Sequence, residues 1–516
     1  MKQFVSFMLC LLAFSAASAQ VTTSSMSGHV QDEQGAPVVG ALVLATHTPS
    51  GTEYSAIVDG TGNYRIMNMR SGGPYSVKIS MLGFQTVLNE GINIALGDNY
   101  VLDVTLPIES TDLDEVVVTG TRSSILNSDR AGVATNINNR QLNVLPTVSR
   151  SISDFTRLTP QAGNSGSFGG RDTRYNNVSI DGAAFAQRFG LSTSNNYPGG
   201  DAQPISLDAI QEISVNLTPF DIRQSNFTGA NINAVTKSGD NSYHATAYTF
   251  QRFKSMTGDR VQDATVANAK TTSRQTYGAS VGGPIIKNKL FFFINGELEY
   301  KSFLGNQWQP STDGVGSAEN KISQTTIADL ERVSNFLKEK YNYDPGAYQN
   351  FGNSAADNYK IMARIDWNIS KNHKLMVRYN DVKSQDDNLV SGASTPGGVR
   401  LNNAGRNSIN SISFANTGYK QENRVRSITA ELNSVFSPKV SNKLLASFTN
   451  INDTRKTDGD LFPFVDIMRL GSDGKTYEGY MSFGTEIFSF NNGVLNNTFN
   501  ITDNVTIGLG QHTLTA

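Results

Sequence analysis

From about residue 243 onward the chain alternates apolar and polar side chains with a period of two. The alternation is clearest in "NYKIMARIDWNISKNHKLMVRYNDV". There Tyr359, Ile361, Ala363, Ile365, Trp367 and Ile369 fall on one face, and Asn358, Lys360, Met362, Arg364, Asp366 and Asn368 on the other. Ser370 to His373 interrupt the run as a tight turn. Leu375, Val377 and Tyr379 then resume opposite Lys374, Met376, Arg378 and Asn380, which predicts a hairpin. The same rule puts Leu290, Phe292, Ile294, Leu298 and Tyr300 on one face of a strand, and Ile428, Ala430, Leu432 and Phe436 on one face of another. That second strand turns at Ser437–Asn442 into "KLLASFTN", and Phe499, Ile501, Val505 and Ile507 mark a further one. One stretch breaks the pattern. In the loop 302–357, Ile327, Leu330, Val333, Phe336 and Leu337 recur at helical spacing behind Thr326 and Asp329, which predicts a capped helix packed on a loop surface.

The strands read as about ten residues each, against an ordinary five or six. Short turns join them on one side and loops of tens of residues, such as 302–357 and 383–423, on the other. A soluble antiparallel sandwich also alternates. Long strands with unequal connections favour a membrane-spanning β-barrel, with Trp367, Tyr379 and Tyr300 at the lipid interfaces.

Upstream, residues 20–107 read as a small β-sandwich: short strands separated by turns at Asp32–Pro37 and at "DGTGNYRI". Residues 1–19 read as a secretory leader, with Lys2 ahead of an apolar core from Phe4 to Phe14 and small residues at Ala17–Ala19. The chain's single cysteine, Cys10, lies in that leader, which rules out disulfides and thiolate metal sites downstream. A net charge of −2 gives no basic footprint for nucleic acid. The five histidines are scattered, and zincin, nucleophile-elbow and phosphate-loop motifs are absent, so the sequence predicts no enzyme, no metal and no cofactor.

Two resemblances sharpen this outline. Gly28, Val30, Gly35, Pro37, Gly40 and Ala41, followed by Asp59-Gly-x-Gly-x-Tyr and Gly73-x-Tyr-x-Val, resemble the carboxypeptidase-regulatory-like domain, a non-catalytic module. "DEVVVTG" at Asp114–Gly120, "ISDFTRLTPQ", "GGRDTRYNNVSIDG", the stretch Ile205–Asn241 and "VGGPIIKNKLFFFINGELE" together resemble the TonB-dependent outer-membrane transporters, in particular the Oar-like group. The resemblance implies a plug over 123–240 and a barrel of about 22 strands from 241 onward. It implies a cell outer membrane location in a Gram-negative bacterium, with lipid around the barrel. It also implies a TonB–ExbB–ExbD type partner and an unidentified small-molecule, peptide or glycan substrate. The alternative is an outer-membrane surface protein in adhesion or secretion that imports nothing.

Within the linker 108–122, Asp114, Glu115, Val116, Val117, Val118, Thr119 and Gly120 look like the TonB-interaction segment. Three consecutive β-branched residues suit strand addition to a partner. In isolation such a run is an ordinary strand of the preceding sandwich; its place between sandwich and plug favours energy coupling. Arg171, Arg174, Asn176, Asn177, Asp181 and Arg223 are candidates for the plug–barrel interface, with hydrogen bonding inside the plug's own turns as an equal alternative. The expected fold class is mainly β: an N-terminal β-sandwich, a mixed α/β plug, and the N-terminal part of a transmembrane β-barrel. Only roughly eight or nine alternating strands follow residue 243, and the chain stops within a strand at "QHTLTA". It is therefore expected to be the first part of a longer protein, either a fragment or a truncated gene.

Overall fold

The computed structural model describes residues 21–108, 116–119, 134–147, 150–163, 166–185, 202–218, 224, 227–256, 258, 260–262, 264–265, 271–391, 405–471, 473–488, 491–509 and 512–516. The leader, Asp114, Glu115, Gly120 and Arg223 lie outside the described residues.

The N-terminal unit is a sandwich of two sheets. One sheet centres on Ser24–Asp32, flanked by Asn63–Met69 on one side and by Asn99–Val101 and Val104–Leu106 on the other. The second sheet runs Thr52–Ile57, Leu42–His47, Gly72–Ser80, Val87–Ile94 and finally Val116–Thr119. Between them lie Met26, Val30, Val43, Tyr75, Val77, Ile79, Ile94 and Leu106, all buried. Both expected turns are stabilised by an aspartate. Asp32 accepts from the backbone N–H of Gln34 and Ala36, and Asp59 from those of Thr61 and Asn63.

The plug follows as a five-stranded mixed sheet in the order Ala134–Asn138, Ile210–Asn216, Asn231–Thr236, Asn177–Ile180 and Ala183–Ala184. Two short helices, Asn139–Val144 and Ile152–Thr156, start at full capping boxes, Asn138 with Gln141 and Ser151 with Asp154. Its core of Phe155, Phe168, Val178, Ile180, Phe185, Ile213 and Ile232 continues without a break into Phe293, Met362, Val425 and Ile451, which belong to the wall described next.

That wall is one antiparallel sheet of nine strands in chain order: His244–Phe253, Thr271–Ile286, Leu290–Phe303, Ser354–Asn368, His373–Asn388, Tyr419–Ser437, Val440–Thr457, Gly493–Leu509 and His512–Thr515. Seven of these strands are 14–19 residues long, well beyond the ten or so read from the alternation. The excess lies on the long-loop side. Beyond Tyr379 the outer face turns charged at Asp381 and Lys383, and Arg424 bonds Asp381 at 2.8 Å. The apolar stripe ends there, while the backbone ladder continues. The turn between Ser437 and Val440 is also tighter than expected.

The long loops form a structured cap. Helix Ile327–Tyr341 begins at Thr326, whose hydroxyl accepts from the Asp329 N–H, and ends at Asn342 in the left-handed region. Instead of resting on a loop surface, it helps to close a separate core. Leu330 and Leu337 pack with Tyr343 from the same loop, Ile412 and Phe414 from the second, and Met481 and Phe483 from the third. Tyr343 stacks on Phe462 with ring centroids 4.2 Å apart.

Candidate functional site

The polarity of the nine-stranded sheet is the reverse of a soluble protein's. On Ser354–Asn368, Ile361 and Ile365 point away from the rest of the molecule and are nearly half exposed, while Lys360 and Arg364 point toward the plug and are buried. Leu290 to Tyr300 mark an outward apolar stripe on the neighbouring strand. Ten residues at ~3.4 Å each, tilted by about 40°, give a band roughly 26 Å tall, close to the height of a bilayer's hydrocarbon layer. Trp367 closes the band at the short-turn end and Tyr300 at the other, while on the following strand the apolar run ends at Tyr379, opposite Ala363.

The concave face carries the polar chemistry, and most of it meets the plug. Asp181 sits at the end of plug strand Asn177–Ile180 in a left-handed backbone conformation (φ 44°), followed by Gly182 (φ 75°). Its carboxylate accepts from the N–H and hydroxyl of Thr236 at 2.9 and 2.8 Å, and from Arg378 on the wall at 3.0 Å. A second wall guanidinium, Arg364, lies 3.5 Å away; it also donates to the Thr236 carbonyl and pairs with Asp366 at 2.7 Å. Arg378 has no solvent exposure and, among the described residues, pairs with no other acid. A neighbouring contact joins plug residue Ser206 to wall residue Glu297 at 2.9 Å. Tyr248 and Lys360 donate to the same carboxylate, at 2.7 and 2.5 Å. Arg150 of the plug stacks over Phe250, 4.0 Å from the ring centre.

The other interface candidates are placed differently. Asn176 and Asn177 are buried but bond within the plug: Asn176 with the Gly166 carbonyl and the Ala230 N–H, Asn177 with Asn231. Arg171 is exposed, and Arg174 is exposed beside Asp172 at 3.1 Å. The backbone of Val116–Thr119 pairs in parallel with the sandwich strand Val87–Ile94, so in this structure the segment is the edge strand of the second sheet. Arg364, Arg378 and Glu297 were legible in sequence only as polar-face positions. Nothing in sequence marked which of those positions meets the plug.

The sandwich is bonded to both other units. The Leu96 N–H donates to the buried carboxylate of plug residue Glu212 at 2.9 Å, and Asn136 donates to the Leu96 carbonyl. Asn368 of the wall donates to Thr52 at 3.1 Å, and Thr22 lies between Glu431 and Lys443 of the wall. No helix among the described residues is long and apolar enough to cross a membrane.

A long-stranded antiparallel sheet, apolar outside and charged inside around a folded plug, defines an outer-membrane β-barrel protein. Residues 235–309 and 300–516, more than half of the chain, match the outer membrane beta barrel domain, and the chain belongs to that family. Residues 25–107 match the carboxypeptidase regulatory-like domain. The barrel match places the protein in the Gram-negative outer membrane. Among known proteins the chain is similar to the TonB-dependent transporter Oar of Myxococcus xanthus, with 29% identity over 302 residues covering 55% of this chain and 27% of that protein. It is also similar to the TonB-dependent receptor P3 of Formosa agariphila, with 24% identity over 416 residues covering 77% and 36%. The chain thus spans about a quarter to a third of the length of these relatives. Solved structures that align with it include the siderophore receptor PirA from Acinetobacter baumannii (TM-score 0.42, 16% identity, 74% of this chain and 46% of that one). The outer membrane transporter YddB from Escherichia coli also aligns (TM-score 0.47, 11% identity, 74% and 47%).

Proposed function

We propose that this protein is a TonB-dependent receptor that imports a scarce or large solute. Its energy comes from the inner-membrane proton gradient through a TonB–ExbB–ExbD type complex. The observation that carries the reading is the plug seated on a charged concave wall through buried contacts, Asp181 with Arg378 and Arg364 and Ser206 with Glu297. A plug held this way does not leave by thermal motion alone, so a protein that passes solute beside it needs an external force. The segment Asp114–Gly120, with its β-branched centre Val116–Val118, is the handle that such a force would grip, by strand addition.

The test is a disulfide crosslink in cells. One cysteine replaces Val117 and a second is placed in the pairing strand of the host's TonB; Cys10 is the only native cysteine in the chain. A crosslink specific to this position, rising when one nutrient is supplied, supports import and identifies the class of solute. No crosslink under any nutrient, with the protein present in the outer membrane, favours adhesion or secretion instead.

A further inference from the structure

The strand Val116–Thr119 is paired residue for residue with the sandwich: Val116 with Val87, Val117 with Leu88, Val118 with Asn89 and Thr119 with Glu90. The acceptor strand is shaped for this. Val87, Leu88 and Asn89 pair on their other side with Ile79, Lys78 and Val77, whereas the register breaks at Glu90 and Gly91, the latter at φ 76°. Without the added strand, Val87–Ile94 would be the bare edge of its sheet, an open row of N–H and C=O groups that templates one further strand.

A docked strand of four residues has little left to offer. Along a strand, alternate residues direct their N–H and C=O groups to opposite sides, so two of the four face the sandwich and two face out. Two residues supply at most about four hydrogen bonds, each netting roughly 1 kcal/mol, too weak a hold for a partner that must pull against buried ion pairs. The sandwich is also bonded to plug and wall through Leu96–Glu212 and Asn368–Thr52. A pull on the docked strand would therefore load the sandwich before the plug.

Resting on the reading above that this segment is the energy-coupling handle, we infer that the sandwich edge Val87–Glu90 is a docking site for it and competes with the energising partner for the same strand. The module gates coupling: while the strand is on the sandwich, the partner cannot engage it. Parallel pairing over four residues is weak enough to exchange.

The register supplies the experiment. Leu88→Cys with Val117→Cys places two thiols on paired residues of neighbouring strands, and oxidation locks the strand in place. The intact protein in outer-membrane vesicles is then assayed for capture of the host TonB periplasmic domain. Oxidation is expected to cut capture by about tenfold or more, the equivalent of one or two net hydrogen bonds, and reductant to restore it. In the opposite direction, Glu90→Pro is expected to raise capture. Glu90 pairs with Thr119 but has no partner on the Gly72–Ser80 side, so the change weakens the docked strand and spares the sandwich. Equal capture by the oxidised and reduced forms would overturn the competition. Absence of capture in both forms and in Glu90→Pro would overturn the coupling reading and the competition together.

Discussion

Replacing Asp181 by Asn tests what holds the plug. Asn tolerates the left-handed backbone that Asp181 adopts and keeps an acceptor for the Thr236 N–H, so the turn is preserved and the charge alone is lost. Of the two guanidiniums that meet Asp181, Arg364 keeps Asp366 at 2.7 Å. Arg378 is fully buried, and among the described residues its remaining hydrogen-bond partner is the hydroxyl of Thr429 at 3.1 Å. Removing one partner of a buried pair costs about 3–5 kcal/mol, and the hydrogen bond that the amide can still accept returns about 1. A net loss of about 3 kcal/mol in the plug–wall contact corresponds to roughly a hundredfold more frequent release. Hydrogen exchange of the plug amides in strands Asn177–Ile180 and Asn231–Thr236, followed in membranes, reads that population directly. Those amides are expected to exchange about a hundredfold faster while the sandwich amides keep their rates. The double variant Asp181→Asn with Arg378→Gln removes the stranded charge and should regain most of the protection. An exchange rate unchanged by Asp181→Asn, or a double variant no better than the sum of the singles, would refute the reasoning.

Two further outcomes follow from other parts of the molecule. In the sandwich, burial and the nearby Arg70 cation hold the His47 imidazole down at about 3, against about 6.5 in an unfolded chain. Between those values the unfolded form binds a proton that the folded form refuses, so stability is full above pH 6.5 and falls with pH, by about 2 kcal/mol at pH 5. Hydrogen exchange of Leu42–His47 at pH 7 and 5, corrected for intrinsic rates, should show this slope, and His47→Gln should flatten it. On the wall, Ile365→Arg places a cation on the outward apolar band and should lower stability in lipid vesicles by about 2–4 kcal/mol. The same change at Gln385, outward but beyond the charged positions Asp381 and Lys383, should cost under about 1 kcal/mol in urea titration; equal costs would remove the lipid assignment.

The wall was legible in sequence because each strand sees two opposite solvents. Lipid outside and plug inside leave a binary code that survives in single strands such as Ser354–Asn368. The code fails where both faces are wet, so the strand end from Lys383 onward was read as loop although its ladder continues through Asn388. Asp181 could be picked out as an acid before a glycine in a turn. Its partner Arg378 lies 197 residues away, and no local pattern connects the two. The cap was legible only as a helix, because its core draws on Leu330, Phe414 and Phe483 from three separate loops. The three valines carry strand propensity but nothing that specifies which strand receives them.

Surface loops usually diverge one at a time, each tolerating insertions because it packs on little else. Here three long loops share one interior, with Leu337 and Tyr343 from the first against Phe414 from the second and Phe462 and Phe483 from the third. Change in any one is then constrained by the other two. Grafting a single loop onto a related scaffold would strip it of the neighbours that the other two supply. Recombination between relatives is then expected to exchange these three loops together or to leave all of them in place.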